Sequence, residues 1–148
     1  MARRLSVTVE RFPLAASFTI SRGTKTEAVV VRCEIEDEYG RGHGECVPYA
    51  RYGETVENVQ AAIEGVRAAV EGGASRETIQ TLLPAGAARN AVDCALWDLA
   101  CKLTGQPIWQ VADLDAPLAP VVTAYTLSLD TVENMAAAAR ASAQFQSE

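Results

Sequence analysis

The chain has 148 residues, 49% of them hydrophobic and 22% charged, with a net charge of −6. Such a length and balance suit a globular domain with a real core. The acidic excess and the lack of any Lys/Arg block argue against nucleic acid or an anionic membrane as a partner. No apolar run reaches the roughly 20 residues that span a bilayer. The opening MARRLSVTVERF lacks the apolar stretch of a signal peptide, so a cytoplasmic location is expected.

In chain order, Leu5 to Phe12 alternates apolar and polar residues at Leu5, Val7 and Val9, the pattern of a half-buried strand. A loop is expected from Pro13 to Thr24. A second strand runs from about Glu27 to Glu36, with Val29, Val31, Cys33 and Ile35 on one face. The turn Asp37-Glu38-Tyr39-Gly40 leads into a third strand, Arg41 to Val47, which makes a β-hairpin.

The period then changes from two to 3.6. Val56, Val59, Ile63, Val66 and Val70 predict a helix capped by Thr55 and ended by Gly72-Gly73. Ser75 opens a second helix with Ile79, Leu82 and Leu83, closed at Pro84. The longest helix carries Ala88, Val92, Ala95, Leu96, Leu99 and Leu103 on one face, with Gly105 and Pro107 as its stop. Strands followed by helices predict an α+β domain.

Beyond Pro117 and Pro120, Val121 to Leu127 reads as a short β-run. Asp130-Thr131 then caps an Ala-rich helix with Val132, Met135 and Ala139 inward. This is a single β/α unit without a partner strand, so it either docks on the first domain or belongs to a larger sheet. The expected domains are therefore 1–116 and 117–148. Cys33, Cys46, Cys94 and Cys101 form no C-x-x-C pair, and His43 is the only histidine. A zinc site is discarded in favour of buried free thiols, with Cys94 and Cys101 on one side of their helix.

The segment ARNAVDCALWDLACKLTGQPIWQV, Ala88 to Val111, resembles the signature helix of the mandelate-racemase and muconate-lactonizing branch of the enolase superfamily. The matching positions are Ala88, Asn90, Ala91, Asp93, Ala95, Leu96, Asp98, Leu99, Lys102 and Pro107. Cys101 stands where the family usually has Gly or Ala, and Val111-Ala112-Asp113 replaces its usual Leu-Leu-Gly. GRGHGEC, Gly40 to Cys46, is similar to the Gly-x-Gly-Glu turn of the family's capping domain, and PYARYGET to the loop that closes over substrate. FTISRGTKTEA and LPAGAARN fall in the right order and spacing. At SRG, RYGE and LPAGAARN the resemblance is to the bacterial L-Ala-D/L-Glu dipeptide epimerases.

The resemblance implies an α+β capping domain followed by the first β/α unit of an incomplete TIM-type barrel. It implies α-proton abstraction from a dipeptide by two lysines, with Mg²⁺ holding the enediolate. It also implies a homo-oligomer at full length. The family's Lys-x-Lys is not in this chain, whose lysines are Lys25 and Lys102. No catalytic or metal-binding residue is assigned, and the chain alone is expected to be inactive.

Two residues are assigned to the substrate. Arg22, between Phe18, Ile20 and Gly23, suits an anionic group such as the glutamate of an Ala-Glu dipeptide. A solvated loop arginine is an equal reading of the residues alone, and the resemblance decides for substrate. Thr126 matches a substrate-contacting threonine at the end of the first barrel strand, though a β-branched strand residue would look the same. Phe18, Ile20, Tyr49 and Tyr52 either form an apolar lid or merely pack. The alternatives are the cap of a cycloisomerase, an o-succinylbenzoate synthase or an N-acylamino-acid racemase, or a stand-alone binding module.

Overall fold

The computed structural model describes residues 3–114 and 119–142. The chain divides into two compact units, one taking Met1–Arg11 and Val29–Leu118, the other Phe12–Ala28 and Ala119–Glu148. The expected boundary at 116/117 lies outside the described residues, as do the residues from 143 onward.

Three strands, β1 (Arg4–Ile20), β2 (Gly23–Glu36) and β3 (Arg41–Cys46), form one sheet in the order β1-β2-β3. β2 and β3 are antiparallel, with Cys33 opposite Gly44 and Ile35 opposite Gly42. Their turn is held by Asp37, whose Oδ1 accepts from the N–H groups of Tyr39 (2.9 Å) and Gly40 (3.1 Å). Period-two alternation buries Val31, Cys33 and Ile35 on one face. Along β2, Arg32 pairs with Glu34 at 2.9 Å, and Arg41 of β3 reaches across to Glu34 at 3.2 Å.

Pro13 to Thr24 is not a loop. β1 runs on to Ile20, and β2 starts at Gly23 after a two-residue turn. Phe12, Leu14, Phe18 and Ile20 keep the alternation going through Pro13, which an edge strand tolerates because the missing N–H faces outward.

α1 (Val56–Gly65) starts on a capping box in which Thr55 Oγ1 accepts from Asn58 N–H and Asn58 Oδ1 from Thr55 N–H. The single helix expected over Val56 to Val70 is broken at Val66, and α2 (Arg67–Glu71) follows. Gly65, with its poor helix propensity, precedes the break. Ser75 caps α3 (Arg76–Leu82), in which Leu83 is buried behind the helix while Leu82 is half exposed.

α4 (Ala87–Thr104) closes on Gly105 in the left-handed conformation, and α5 (Ile108–Val111) follows Pro107. α4 buries Ala91, Val92, Ala95, Leu96 and Leu99, whereas Leu103 at its end is exposed. Asp113 has φ 54, the left-handed position that the family's Gly would fill. Asp tolerates it where a β-branched residue would not, which accounts for the first departure from the pattern.

The core lies in the first unit. Leu5, Val31, Cys33 and Ile35 of the sheet meet Val59, Ile63, Val70, Ile79, Val92 and Leu99 of the helices, all nearly inaccessible. Arg76 ties α3 to α4 through two bonds to Asp93 (2.9 and 3.1 Å), and its guanidinium lies 3.6 Å from the Trp97 ring centroid.

α4 lies on β3 at backbone contact. A Cβ at Gly42 would stand 2.1 Å from the Ala95 carbonyl oxygen, and one at Gly44 2.1 Å from that of Ala91. Ala91 and Ala95 of the signature helix therefore let it lie on the cap's own sheet.

Helix side chains also bond to both outer edges of this sheet, along β3 and at Leu5 of β1. On β3, Asp98 Oδ2 accepts from His43 N–H at 2.7 Å, and Lys102 Nζ donates to Arg41 O at 2.8 Å. Asn90 Nδ2 donates to Glu45 O at 3.1 Å. Asp98 and Lys102 pair at 2.7 Å, as their spacing predicts, on an exposed side of the helix that also reaches the strand edge. On β1, Glu71 Oε1 accepts from Leu5 N–H at 3.2 Å while Arg67 donates to Leu5 O and pairs with Glu71 at 2.9 Å.

In the second unit, Val121 to Leu127 is extended but forms no ladder, contrary to the expected strand. Val121 and Val122 are 88% and 98% exposed. A strand exists only through its hydrogen-bonding neighbours, and none among the described residues pairs with it. α6 (Val132–Ser142) starts on Thr131, whose Oγ1 accepts from Asn134 N–H at 3.3 Å. Its expected inward face is not buried: Val132 and Ala139 are exposed and Met135 only half-buried.

Gly44→Ala drives a methyl into helix backbone, so a loss of about 3 kcal/mol is expected in urea unfolding. Gly65→Ala, with nothing within 4 Å of its Cβ, is expected to be neutral or to stabilise by up to about 1 kcal/mol. Equal effects would mean that α4 stands off from β3.

Burial raises the Asp98 carboxyl, but the bonds from Lys102 and His43 N–H outweigh it and hold the group below its ordinary 3.8. A depressed folded value contributes stability above the unfolded value and loses it as pH falls through the folded one. The melting temperature of the native chain should therefore exceed that of Asp98→Asn at neutral pH, and the gap should shrink below pH 3.8. A gap constant across that window would exclude the ionised Asp98 from stabilising the edge.

Candidate functional site

The second unit carries both residues assigned to the substrate. Arg22 lies in the Ser21-Arg22 turn between β1 and β2, next to Gly23 with φ 139, and is exposed. Among the described residues its guanidinium has no ion pair. A two-residue turn opening on Gly keeps the hairpin tight and presents the arginine at its end.

Thr126, also exposed, sits in the extended segment that follows Pro120. Two residues on, that segment is tied to β1. Thr19 N–H donates to Ser128 Oγ at 2.9 Å, Ser128 Oγ to Ser17 O at 3.3 Å, and Leu129 N–H to Thr19 O at 2.8 Å. Thr19 lies three residues before Arg22, and Ser128 two after Thr126. The structure thus joins the two stretches that carry the assigned residues. Phe18 and Ile20, on the same arm, are half-buried.

The first unit carries the RYGE motif. Ala50–Tyr52 forms one 3₁₀ turn, ending on Gly53 at φ 74, and places the Tyr49 and Tyr52 rings 5.7 Å apart at 44°. Tyr52 is 75% exposed, so the pair is not core. Glu54 was quoted in the motif without a role. Its Oε2 accepts from Tyr49 N–H at 3.0 Å and its Oε1 from Ala87 N–H at 2.7 Å. No local pattern signals this pairing, because one partner is 33 residues away.

The cysteines are free. Burial, with Cys46 nearby, pushes the Cys33 thiol up to about 12, and burial with Glu54 nearby pushes Cys46 up to about 11. Neither offers a thiolate at neutral pH. Cys94 is exposed and Cys101 half-exposed, which corrects the expectation that all four are buried. Both line one groove of about 710 Å³ with His43, Trp97, Asp98, Ile108 and Ala112, as their seven-residue spacing predicts. The other departure from the family pattern, Cys101, is half-buried along this groove. No group of three or more His, Cys, Asp or Glu that could hold a metal occurs among the described residues.

A short antiparallel sheet with a signature helix lying on a Gly-x-Gly strand, and exposed loops at the hairpin tip and after β3, defines an enolase-type capping domain. Residues 2–112 match the mandelate racemase / muconate lactonizing enzyme N-terminal domain, and the chain belongs to that family.

It is 46% identical over 134 residues to the L-Ala-D/L-Glu epimerase of Escherichia coli K12, covering 90% of this chain and 41% of that protein. Among solved structures it resembles an enolase family member from Agrobacterium tumefaciens with homology to dipeptide epimerases, which holds sodium and L-Ala-L-Glu. The TM-score there is 0.88 at 51% identity, over 96% of this chain and 43% of that one. The dipeptide epimerase of Enterococcus faecalis V583, complexed with Mg and L-Leu-L-Tyr, matches with a TM-score of 0.82 at 29% identity, over 97% and 43%. The chain thus spans less than half the length of these relatives. No helix among the described residues is long and apolar enough to cross a membrane.

Proposed function

We propose that this chain is the N-terminal portion of a Mg²⁺-dependent dipeptide epimerase acting on Ala-Glu-type dipeptides by α-proton abstraction. The observation that carries the reading is its likeness, at 51% identity and a TM-score of 0.88, to a protein that holds L-Ala-L-Glu. Residues 1–116 form the cap and 117–148 the first β/α unit of a barrel. The assembly at full length is a homo-oligomer in the cytoplasm.

Arg22 and Thr126 contact the dipeptide. An exposed guanidinium at a hairpin tip can meet the glutamate carboxylate with two parallel N–H···O bonds. Thr126 offers a hydroxyl that both donates and accepts. The residues described here do not make a magnesium site, so no step is assigned to the metal in this chain. The bases are likewise not among its residues: Lys25 and Lys102 lie far apart in sequence, and Lys102 is committed to Asp98 and Arg41 O.

Two measurements test this. In D₂O with Mg²⁺, the 148-residue chain should place no deuterium at the α-carbon of L-Ala-L-Glu. Exchange that is lost on substituting Lys25 or Lys102 would assign the base to this chain and overturn the reading.

In an epimerase-length protein, Arg22→Ala should lower kcat/KM for L-Ala-L-Glu about ten- to hundredfold, the loss of one charge-assisted contact of about 1.5–3 kcal/mol. Activity on a dipeptide with an uncharged second residue should change far less. Equal losses on both would make Arg22 structural.

A further inference from the structure

The loop after β3 is held by a single side chain at two points. Glu54 is half-buried, and its two oxygens bond two backbone N–H groups that have no other need in common: Tyr49, at the start of the 3₁₀ turn, and Ala87, the first residue of α4. α4 has no cap of its own, because its N-cap is Gly86, at φ 154 and without a side chain. The carboxylate therefore acts as a cap supplied from a distance, and negative charge is favourable at a helix N-terminus.

Gly86 leaves the room. A Cβ there would stand 2.8 Å from Glu54 Oε1. The far end of the turn is held separately, Asn58 Nδ2 donating to Gly53 O at 2.9 Å. Between these ties the turn carries Tyr49, Arg51 and Tyr52, of which Arg51 and Tyr52 are exposed and none is buried. A segment without fully buried side chains gains little from hydrophobic burial, so polar ties such as those of Glu54 weigh heavily on whether it is docked or open.

We propose that Glu54 is a latch: its carboxylate sets the equilibrium between a docked and an open Tyr49–Gly53 turn by clamping that turn to the first residue of α4. The proposal rests on this geometry alone and holds whether or not the chain is part of an epimerase. A latch of this kind links the two motifs RYGE and LPAGAARN by one pair of bonds. It also makes the presentation of the Tyr49–Tyr52 pair depend on the start of the signature helix.

Arg51 supplies the probe. Limited trypsin digestion of the 148-residue chain, with fragments identified by mass, reads cleavage after Arg51 against cleavage elsewhere. Proteolysis of a locally opened segment tracks the population of the open form when opening and closing are fast. Glu54→Ala removes two charge-assisted bonds and should raise cleavage after Arg51 about tenfold to hundredfold. Glu54→Gln keeps one acceptor and should fall between the native chain and Glu54→Ala. Gly86→Ala, which leaves Glu54 in place but pushes against its oxygen, should raise the same cleavage.

Ser75→Ala is the control, since it removes the α3 cap and lowers overall stability without touching the turn. It should leave Arg51 cleavage unchanged at a comparable loss in melting temperature. Cleavage after Arg51 that is equal in all variants, or that merely follows the melting temperature across the Glu54, Gly86 and Ser75 variants, would overturn the latch.

Discussion

Everything in the first unit depends on how closely α4 approaches β3. Helices usually pack on sheets through a layer of side chains, but here a helix carbonyl lies where a Cβ would have to be, at Gly42 and again at Gly44. The two glycines are one strand period apart and face Ala95 and Ala91, four apart on the helix. Period two on the strand and 3.6 on the helix keep step over this short span, because two strand residues rise about 6.8 Å and four helix residues about 6 Å. That near-match lets a Gly-x-Gly strand and an Ala-xxx-Ala helix lie flush. The same closeness brings Asn90, Asp98 and Lys102 within reach of the strand's outer edge.

The edge contacts follow from that approach and solve a problem common to small sheets. A three-stranded sheet has two open edges with unpaired N–H and C=O groups, a template for unwanted pairing. Here each edge meets an i,i+4 ion pair from a helix, Asp98–Lys102 on β3 and Arg67–Glu71 on β1. In both pairs the carboxylate accepts from a strand N–H and the cation donates to a strand carbonyl. An exposed ion pair by itself is worth little. Tied to backbone groups that otherwise compete for other chains, the same pair gains a role in specificity that its Coulomb energy alone would not give.

Most of the first unit was legible in the sequence because its signals are local. The Asp37–Gly40 turn, the caps at Thr55 and Ser75, and the stop at Gly105 are each set by residues within a few positions. What sequence reading missed was non-local or lay where two patterns compete. The arm from Phe12 to Ile20 carries strand alternation, but Pro13 and the Gly23 turn read as a loop until the edge position of β1 explains them. Val66 breaks a helix whose apolar period continues without interruption. Asp98 and Lys102 were legible as a pair, but not the strand edge they address, since Arg41 and His43 lie some 55 to 61 residues away. Glu54 was hidden for the same reason. Of the candidate substrate residues, Arg22 and Thr126 were read through resemblance, and the bonds of Ser128 and Leu129 to the Ser17–Thr19 stretch, 109 to 111 residues away, gave no sequence signal at all.

The two units differ in what holds them, and this bears on where specificity and chemistry reside. The first has a continuous core from Leu5 to Leu99, so its loops stand on a packed frame. Among the described residues of the second, none of the apolar side chains of Val121, Val122, Tyr125 and Val132 is covered, and α6 buries nothing. An apolar β-run of this kind gains its stability from neighbours on both edges and both faces, as parallel sheets require. Arg22 and Thr126 both belong to this second unit, so the residues assigned to the substrate sit on the part of the chain with the least burial of its own. The hydrogen bonds of Ser128 and Leu129 to β1 are what tie the two stretches that carry them.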